Sequence, residues 1–220
     1  MLLMSEHIGE NIKAVLFDHD DTLVGTIGTK WAQHKHVARK HYGKELTDDE
    51  IKLHWGKPLR ELVCLLYGTD DVEQAMANNT ACHEDFPKEL FVASIPTLRH
   101  LKAAGKLVGI ITATSRFSFE HDLTTQEIPQ EVLDYTQTAD DTPFHKPDPR
   151  VFEPALTWLE AQDVRPEEVY YIGDELHDMK AALGAGLNFL GVETGLVTAE
   201  QFAENNVISI PTIADLAPRA

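Results

Sequence analysis

Four short apolar runs punctuate the chain, at Ala14 to Phe17, Leu107 to Ile111, Val169 to Ile172 and Leu187 to Val192, and the stretches between them carry apolar residues at helical spacing. Runs this short are what strands buried on both faces look like, and their alternation with helical stretches predicts a parallel α/β sheet. A further strand is expected near Val132 to Thr138, where Tyr135 and Thr136 favour extended backbone and Asp134 does not.

Between Gly25 and Phe91 the pattern changes. No strand-like run occurs there; Leu59, Leu62, Val63 and Leu66 make one helical stripe, and Val72, Ala75, Met76, Asn79, Cys82 and Phe86 make another. With a helix expected over Ile27 to Tyr42, these stripes describe a small helical bundle inserted after the first strand. The expected division is therefore a core of residues 1–24 and 92–220 and an insert of residues 25–91, with Gly25 and Gly28 as one hinge. Ser94 and Pro96 signal the start of a helix through Leu98 and Leu101 that Gly105 ends. Asp148 and Pro149 open another that runs toward Trp158, and the segment after Gly173 reads as a helix closing near Gly184 or Gly186.

Composition narrows the partners. At 220 residues and 43% hydrophobic, the chain can bury a substantial core, and its formal charge of −17 opposes nonspecific attraction to nucleic acid or an anionic membrane. Any anionic substrate must meet local positive charge. Two cysteines, Cys64 and Cys82, are too few for a disulfide framework, which points to a reducing cytoplasm and to packing roles for both. Met1 to Lys13 contains Glu6, His7, Glu10 and Asn11 with no long apolar stretch, so neither a secretory signal nor a membrane span is expected.

The chemistry concentrates where the first strand ends. Phe17 to Leu23 reads FDHDDTL, which places Asp18 and Asp20 two positions apart at the carboxyl end of a strand, where open α/β sheets bind ligands. If the chain stays extended, both carboxylates face the same way and repel, so they need a cation, a proton or a partner. Taken alone, the pair is as well explained by a solvated acidic turn. Three more segments fall at the ends of expected strands or in the loops after them: Thr112, Lys146, and Asp174 with Asp178. Asp174 and Asp178 stand four apart, which puts them on one face of a helix, where both can point toward a single ion.

These segments, DHDDT at 18 to 22, IIT at 110 to 112, HKPDP at 145 to 149 and GDELHD at 173 to 178, together resemble the haloacid dehalogenase superfamily of phosphohydrolases. The resemblance implies a Rossmann-like parallel sheet core. It implies that Asp18 attacks phosphorus to form an aspartyl phosphate, while Asp20 protonates the departing alkoxide and later takes a proton from water. It implies Mg²⁺ held by the Asp18 carboxylate, the Asp20 backbone carbonyl and Asp174, with Asp178 as a direct ligand or one step removed. Lys146 would balance anionic oxygen charge, Thr112 and the backbone of Ala113 would hold the phosphoryl group, and Thr22 would orient the first loop at the substrate. Asp21 departs from the family pattern, which has glycine there, and its extra charge is expected to alter loop conformation or metal affinity.

The helical insert looks like the mobile cap of the subgroup that contains phosphoglycolate phosphatases and β-phosphoglucomutases. Within HWGKPLREL, Lys57 and Arg60 are the candidate anion contacts from that cap. The expected partner is a small phosphorylated metabolite, acted on by a monomer or homodimer. The closest rival is a phosphomutase, in which a sugar hydroxyl replaces water as acceptor. A dehalogenase fits less well, because Asp20 supplies the acid that assists alkoxide departure. A phosphoacceptor module or a silent binding protein is the rival from another class, although receiver domains order their acids differently and lack a helical insert.

Overall fold

Every residue of the first strand, Ala14–Phe17, is completely buried, and its neighbours explain why. Val15 and Phe17 enter one apolar cluster with Val108, Ile110, Ile172, Leu190 and Val192; Ala14 and Leu16 enter a second with Ile111, Val169, Tyr171 and Phe189. Successive side chains of a strand point to opposite faces, so the two clusters are the two sides of one sheet, and the strand between them reads as a continuous apolar run. Burying a side chain such as Phe17 is worth about 1.5–3 kcal/mol. The computed structural model describes residues 8–9 and 11–216. Much of the amino-terminal segment read above as lacking a leader therefore lies outside the described residues.

Along the chain, β1 (Ala14–Phe17) and β2 (Val24–Gly25) precede four helices, α1 (Ile27–Tyr42), α2 (Asp48–His54), α3 (Leu59–Tyr67) and α4 (Val72–Ala81). Then come β3 (Glu89–Leu90), α5 (Ser94–Ala103), β4 (Leu107–Ile111), α6 (Arg116–Thr125), β5 (Tyr135–Gln137), α7 (Glu153–Glu160) and β6 (Val169–Gly173). The chain continues through α8 (Leu176–Gly184), β7 (Asn188–Val192), α9 (Ala199–Glu204) and β8 (Ser209–Ile210).

Among the described residues the main sheet has six strands, all paired in parallel, in the order β5-β4-β1-β6-β7-β8, and β2 pairs with β3 in a separate ladder. The order sets the location of the site. From β1 the sheet grows through β4 and β5 to one side, then the chain crosses to β6 and grows to the other, so the connections diverge at the carboxyl ends of β1, β4 and β6. Ala14 pairs with both Leu107 and Val169, so these three strands run in step to the same edge. Gly109 lets them close up, since a Cβ there would lie 2.8 Å from Leu16 Cδ2 and 2.9 Å from the Tyr135 carbonyl.

The expected strand near Val132 is β5, shortened to Tyr135–Gln137. Asp134, unsuited to a strand, uses its side chain to accept the Val108 amide at 2.9 Å and to pair with Lys102, while its own amide donates to the Val108 carbonyl at 2.7 Å.

The chain divides into two compact units, residues 1–25 with 90–220 and residues 26–89. The smaller unit is helical, with a core of Val37, Ala38, Leu46, Ile51, Leu62, Val63, Leu66, Tyr67, Ala75 and Cys82. Helix α1 ends at Gly43, whose φ of 61° lies in the left-handed region. A buried polar chain runs through this unit: His34 Nδ1 meets the Tyr67 hydroxyl at 2.9 Å, and that hydroxyl donates to Asn79 Oδ1 at 2.9 Å. No helix among the described residues is long and apolar enough to cross a membrane.

Candidate active site

The backbone of Asp18 continues the ladder of β1, its amide donating to the Ile172 carbonyl at 2.8 Å, so the carboxylate is fixed where β1 ends beside β6. Beyond it the chain turns. The amide of Asp21 donates to the Val24 carbonyl at 2.7 Å and that of Leu23 to the His19 carbonyl at 2.9 Å, folding residues 18–24 into a tight loop. His19 points the opposite way from Asp18, fully buried, with Nε2 3.3 Å from Asp122 Oδ2 of α6 and its ring edge-on to Phe119.

Asp21 adopts φ of 54°, in the left-handed region that favours glycine. The glycine of the family pattern thus has a conformational reason, and aspartate is among the few other residues that visit this region. Its carbonyl accepts a hydrogen bond from the Thr194 hydroxyl, in the loop after β7.

Lys146 arrives from the loop after β5 and is almost entirely buried, with Nζ 2.6 Å from Asp18 Oδ1 and 2.7 Å from Asp178 Oδ1. It also lies 3.4 Å from the Ile111 carbonyl and 5.0 Å from the centre of the Tyr171 ring. Burial works against its charge, but Asp178 and Asp18 outweigh burial and hold the ammonium well above its ordinary range. Asp18 is pushed up to about 8: burial raises it most, Lys146 works against that, and Asp178 and Asp20 add to the rise. Asp174 is raised as well, by burial first and then by Asp178, Asp18, Asp21 and Glu175.

Asp174 and Asp178 converge, though not along one helix face. Helix α8 begins at Leu176 with Glu175 at its cap, so Asp174 lies in the loop between β6 and the helix while Asp178 sits in the first turn. The loop achieves what helical periodicity alone does not require. Thr22 donates to Asp174 Oδ1 at 3.2 Å, and the Glu175 amide donates to Asp178 Oδ2 at 3.1 Å. Two glycines leave room: a Cβ on Gly173 would stand 2.6 Å from Asp178 Oδ2, and one on Gly195 would collide with the Asp174 carboxylate.

Carboxylate oxygens of Asp18, Asp174 and Asp178 all lie within 4.8 Å of one another. If all three buried carboxylates ionise, the single ammonium of Lys146 leaves a double negative charge in an enclosed place, so burial and that charge together hold Asp18 and Asp174 protonated to higher pH than usual. A hard divalent cation with oxygen ligands matches that donor set and charge, so the residues fit a magnesium ion.

On the β4 side, the Thr112 amide donates to the Gln137 carbonyl at 2.9 Å, and its hydroxyl accepts from the Thr114 amide at 3.0 Å. Ala113 follows at the surface. The Thr114 hydroxyl donates to Asp20 Oδ2 at 2.7 Å, which puts Asp20 beside the second loop.

Of the residues singled out from the sequence, Asp18, Asp174, Asp178 and Lys146 thus form one cluster, Thr22 supports it through Asp174, and Asp20 is tied to the Thr112 loop. Lys57 and Arg60 belong to the helical unit, where both are exposed: Lys57 pairs with Glu61 at 2.5 Å and Arg60 pairs with Glu73. Thr114, Thr194, Gly195 and Tyr171 were not legible in advance. Each acts through the shape of a loop or the packing of a strand, and none forms a recognisable spacing with the acids.

Comparison with known proteins agrees with this geometry. Residues 15–192 match the family described as haloacid dehalogenase-like hydrolase. A protein of Clostridium perfringens is 31% identical over 200 residues, covering 89% of this chain and 90% of its own. Pyrophosphatase PpaX of Anoxybacillus flavithermus is 29% identical over 196 residues, covering 88% of this chain and 89% of its own. A solved Bacteroides fragilis structure of the haloacid dehalogenase-like description is 32% identical with a TM-score of 0.75, covering 94% of this chain and 100% of that one. Sequence, sheet order and the gathered acids agree, and the chain belongs to the haloacid dehalogenase-like hydrolase family.

Proposed function

We propose that the protein is a magnesium-dependent phosphatase that hydrolyses a small phosphate monoester through an aspartyl phosphate on Asp18. The observation that carries this reading is the pairing of Lys146 with both Asp18 and Asp178, beside Asp174, at the carboxyl ends of the central strands. Asp18 is the nucleophile: one of its oxygens bonds to phosphorus as the bond from phosphorus to the ester oxygen breaks. Asp20 delivers a proton to that departing oxygen, then takes a proton from the water that attacks the phosphoenzyme and releases Asp18. Lys146 and the hydroxyl of Thr112 stabilise charge on the phosphoryl oxygens.

Asp18, the backbone carbonyl of Asp20 and Asp174 would hold magnesium, with Asp178 supporting Lys146. When bound, the ion would offset the burial and the neighbouring negative charge that otherwise lift the carboxyl of Asp18, leaving it anionic at neutral pH. In the same reading residues 26–89 serve as a mobile cap, and Lys57 and Arg60 exchange Glu61 and Glu73 for anionic groups of the substrate.

The name of the Anoxybacillus relative adds inorganic pyrophosphate to the candidate substrates, beside phosphoglycolate and sugar phosphates. Transfer to a sugar hydroxyl, the mutase alternative, uses the same residues, and product analysis with and without a sugar bisphosphate separates the two. The direct test is turnover of p-nitrophenyl phosphate with Mg²⁺, which is expected to vanish in Asp18→Asn; unchanged turnover in that variant excludes Asp18 as nucleophile.

A further inference from the structure

The hydroxyl of Thr114 stands 2.7 Å from Asp20 Oδ2, and the loop around it is held on every side. Its amide donates to Thr112 Oγ1 at 3.0 Å, and its carbonyl accepts from the Ala139 amide at 3.0 Å. The next residue, Ser115, caps α6, accepting from the Ser118 amide at 3.4 Å. Two turns along that helix, Asp122 meets the buried His19, which lies in the chain between Asp18 and Asp20. The loop of Asp20 and the start of α6 are therefore joined twice, by Thr114 on the Asp20 side and by His19 through the core on the other.

We propose that Thr114 is a positioning residue for the proton carrier Asp20, an inference that rests on the phosphatase reading above. A hydroxyl that donates to Oδ2 favours the acid form in which that oxygen is the acceptor and Oδ1 carries the transferable proton. As Asp18 bonds to phosphorus, the proton leaves Oδ1 for the ester oxygen whose bond to phosphorus breaks, and the electron pair of that bond stays with the departing oxygen. In the second half, Oδ1 takes a proton from water as the water oxygen bonds to phosphorus and the bond to Asp18 breaks. Thr114 exchanges no proton in either half and only fixes which oxygen does. General acids contribute about 10²–10⁴-fold, so loosening the carrier should lose a visible part of that range.

The test is the dependence of kcat/KM on the leaving group, which reports the step that needs the acid. Wild type, Thr114→Val and Thr114→Ser are compared with Mg²⁺ on aryl phosphates running from p-nitrophenyl to p-methoxyphenyl. A phenolate that leaves readily needs little protonation, whereas a poor one needs it fully. Thr114→Val is expected to lose roughly threefold on p-nitrophenyl phosphate and roughly thirtyfold on p-methoxyphenyl phosphate. Thr114→Ser, which keeps the hydroxyl, should restore the wild-type ratio between the two. Thr114→Ala, run alongside with thermal melts of all variants, stands in if the valine disturbs folding. Equal losses across the series, or none, overturn the role of Thr114 while leaving the phosphatase reading intact. Absence of turnover by the wild type on every ester overturns that reading and this inference with it.

Discussion

Lys146 Nζ lies within 2.7 Å of both Asp18 Oδ1 and Asp178 Oδ1, so one ammonium ties the end of β1 to the first turn of α8. The lysine has two jobs that normally compete. It lowers the cost of keeping acids in an enclosed place, and in the proposed reaction it would also meet the oxygens of a phosphoryl group.

Replacing it with methionine separates those jobs. Lys146→Met is expected to lower kcat by about 10² or more, the usual scale for removing one preorganised charge partner from a reacting oxygen. Removing one member of a buried ion pair costs about 3–5 kcal/mol when the remaining charge has no relief. Here relief exists, because carboxyls raised by burial can take up a proton. Urea denaturation of the magnesium-free variant should therefore show a smaller loss at pH 6 than at pH 8.5, where the acids are forced to ionise. A loss that does not change with pH would show that the acids do not share the burden.

Gly195 offers a subtler probe of the same cluster. A methyl group there would overlap the Asp174 carboxylate, while the backbone φ is not of the left-handed kind that demands glycine. Gly195→Ala is thus expected to displace Asp174 without unfolding the loop, weakening Mg²⁺ binding by about tenfold, as disturbing the support of a metal ligand commonly does. Isothermal titration with Mg²⁺ alone reads this out, and unaltered affinity would place Asp174 outside the metal site.

In the helical unit, His34 gives a stability prediction of definite sign. Burial, with Lys30 nearby, depresses it to about 4, and its Nδ1 sits against a Tyr67 hydroxyl already donating to Asn79, which suits the neutral ring with the proton on Nδ1. The unfolded chain takes up a proton on this histidine near pH 6.5, whereas the folded chain resists until about 4. Its contribution is therefore present above pH 6.5 and lost as pH falls toward 4, by on the order of 3 kcal/mol across that window. His34→Gln should flatten this limb of the denaturation profile; an equally steep loss in the variant assigns the limb to other groups.

The elements legible from the sequence were those whose burial leaves a periodic trace. The central strands announced themselves because both faces are covered, and α3 and α4 because a stripe of apolar residues on each faces one small core. Helix α2 left little trace, since its seven residues bury only Ile51, and the capping box of Thr47 with Glu50 carries its start. The acids and Lys146 were readable as ordered motifs, yet their separation in sequence says nothing of which oxygen meets which nitrogen. Thr114, Thr194 and Gly195 were hidden for a related reason. A hydroxyl or a missing side chain matters only through the loop that brings it near, and loops carry no period.

Thr22 and its partner Asp174 are 152 positions apart, and Lys146 and Asp18 are 128 apart. No fragment emerging early from a ribosome can assemble this centre, because its first acid must wait for a lysine and two further acids from the far end of the chain. Catalysis therefore doubles as a gauge of completed folding: in a refolding experiment, the return of turnover would mark docking of the last crossovers, later than any signal from local helix formation.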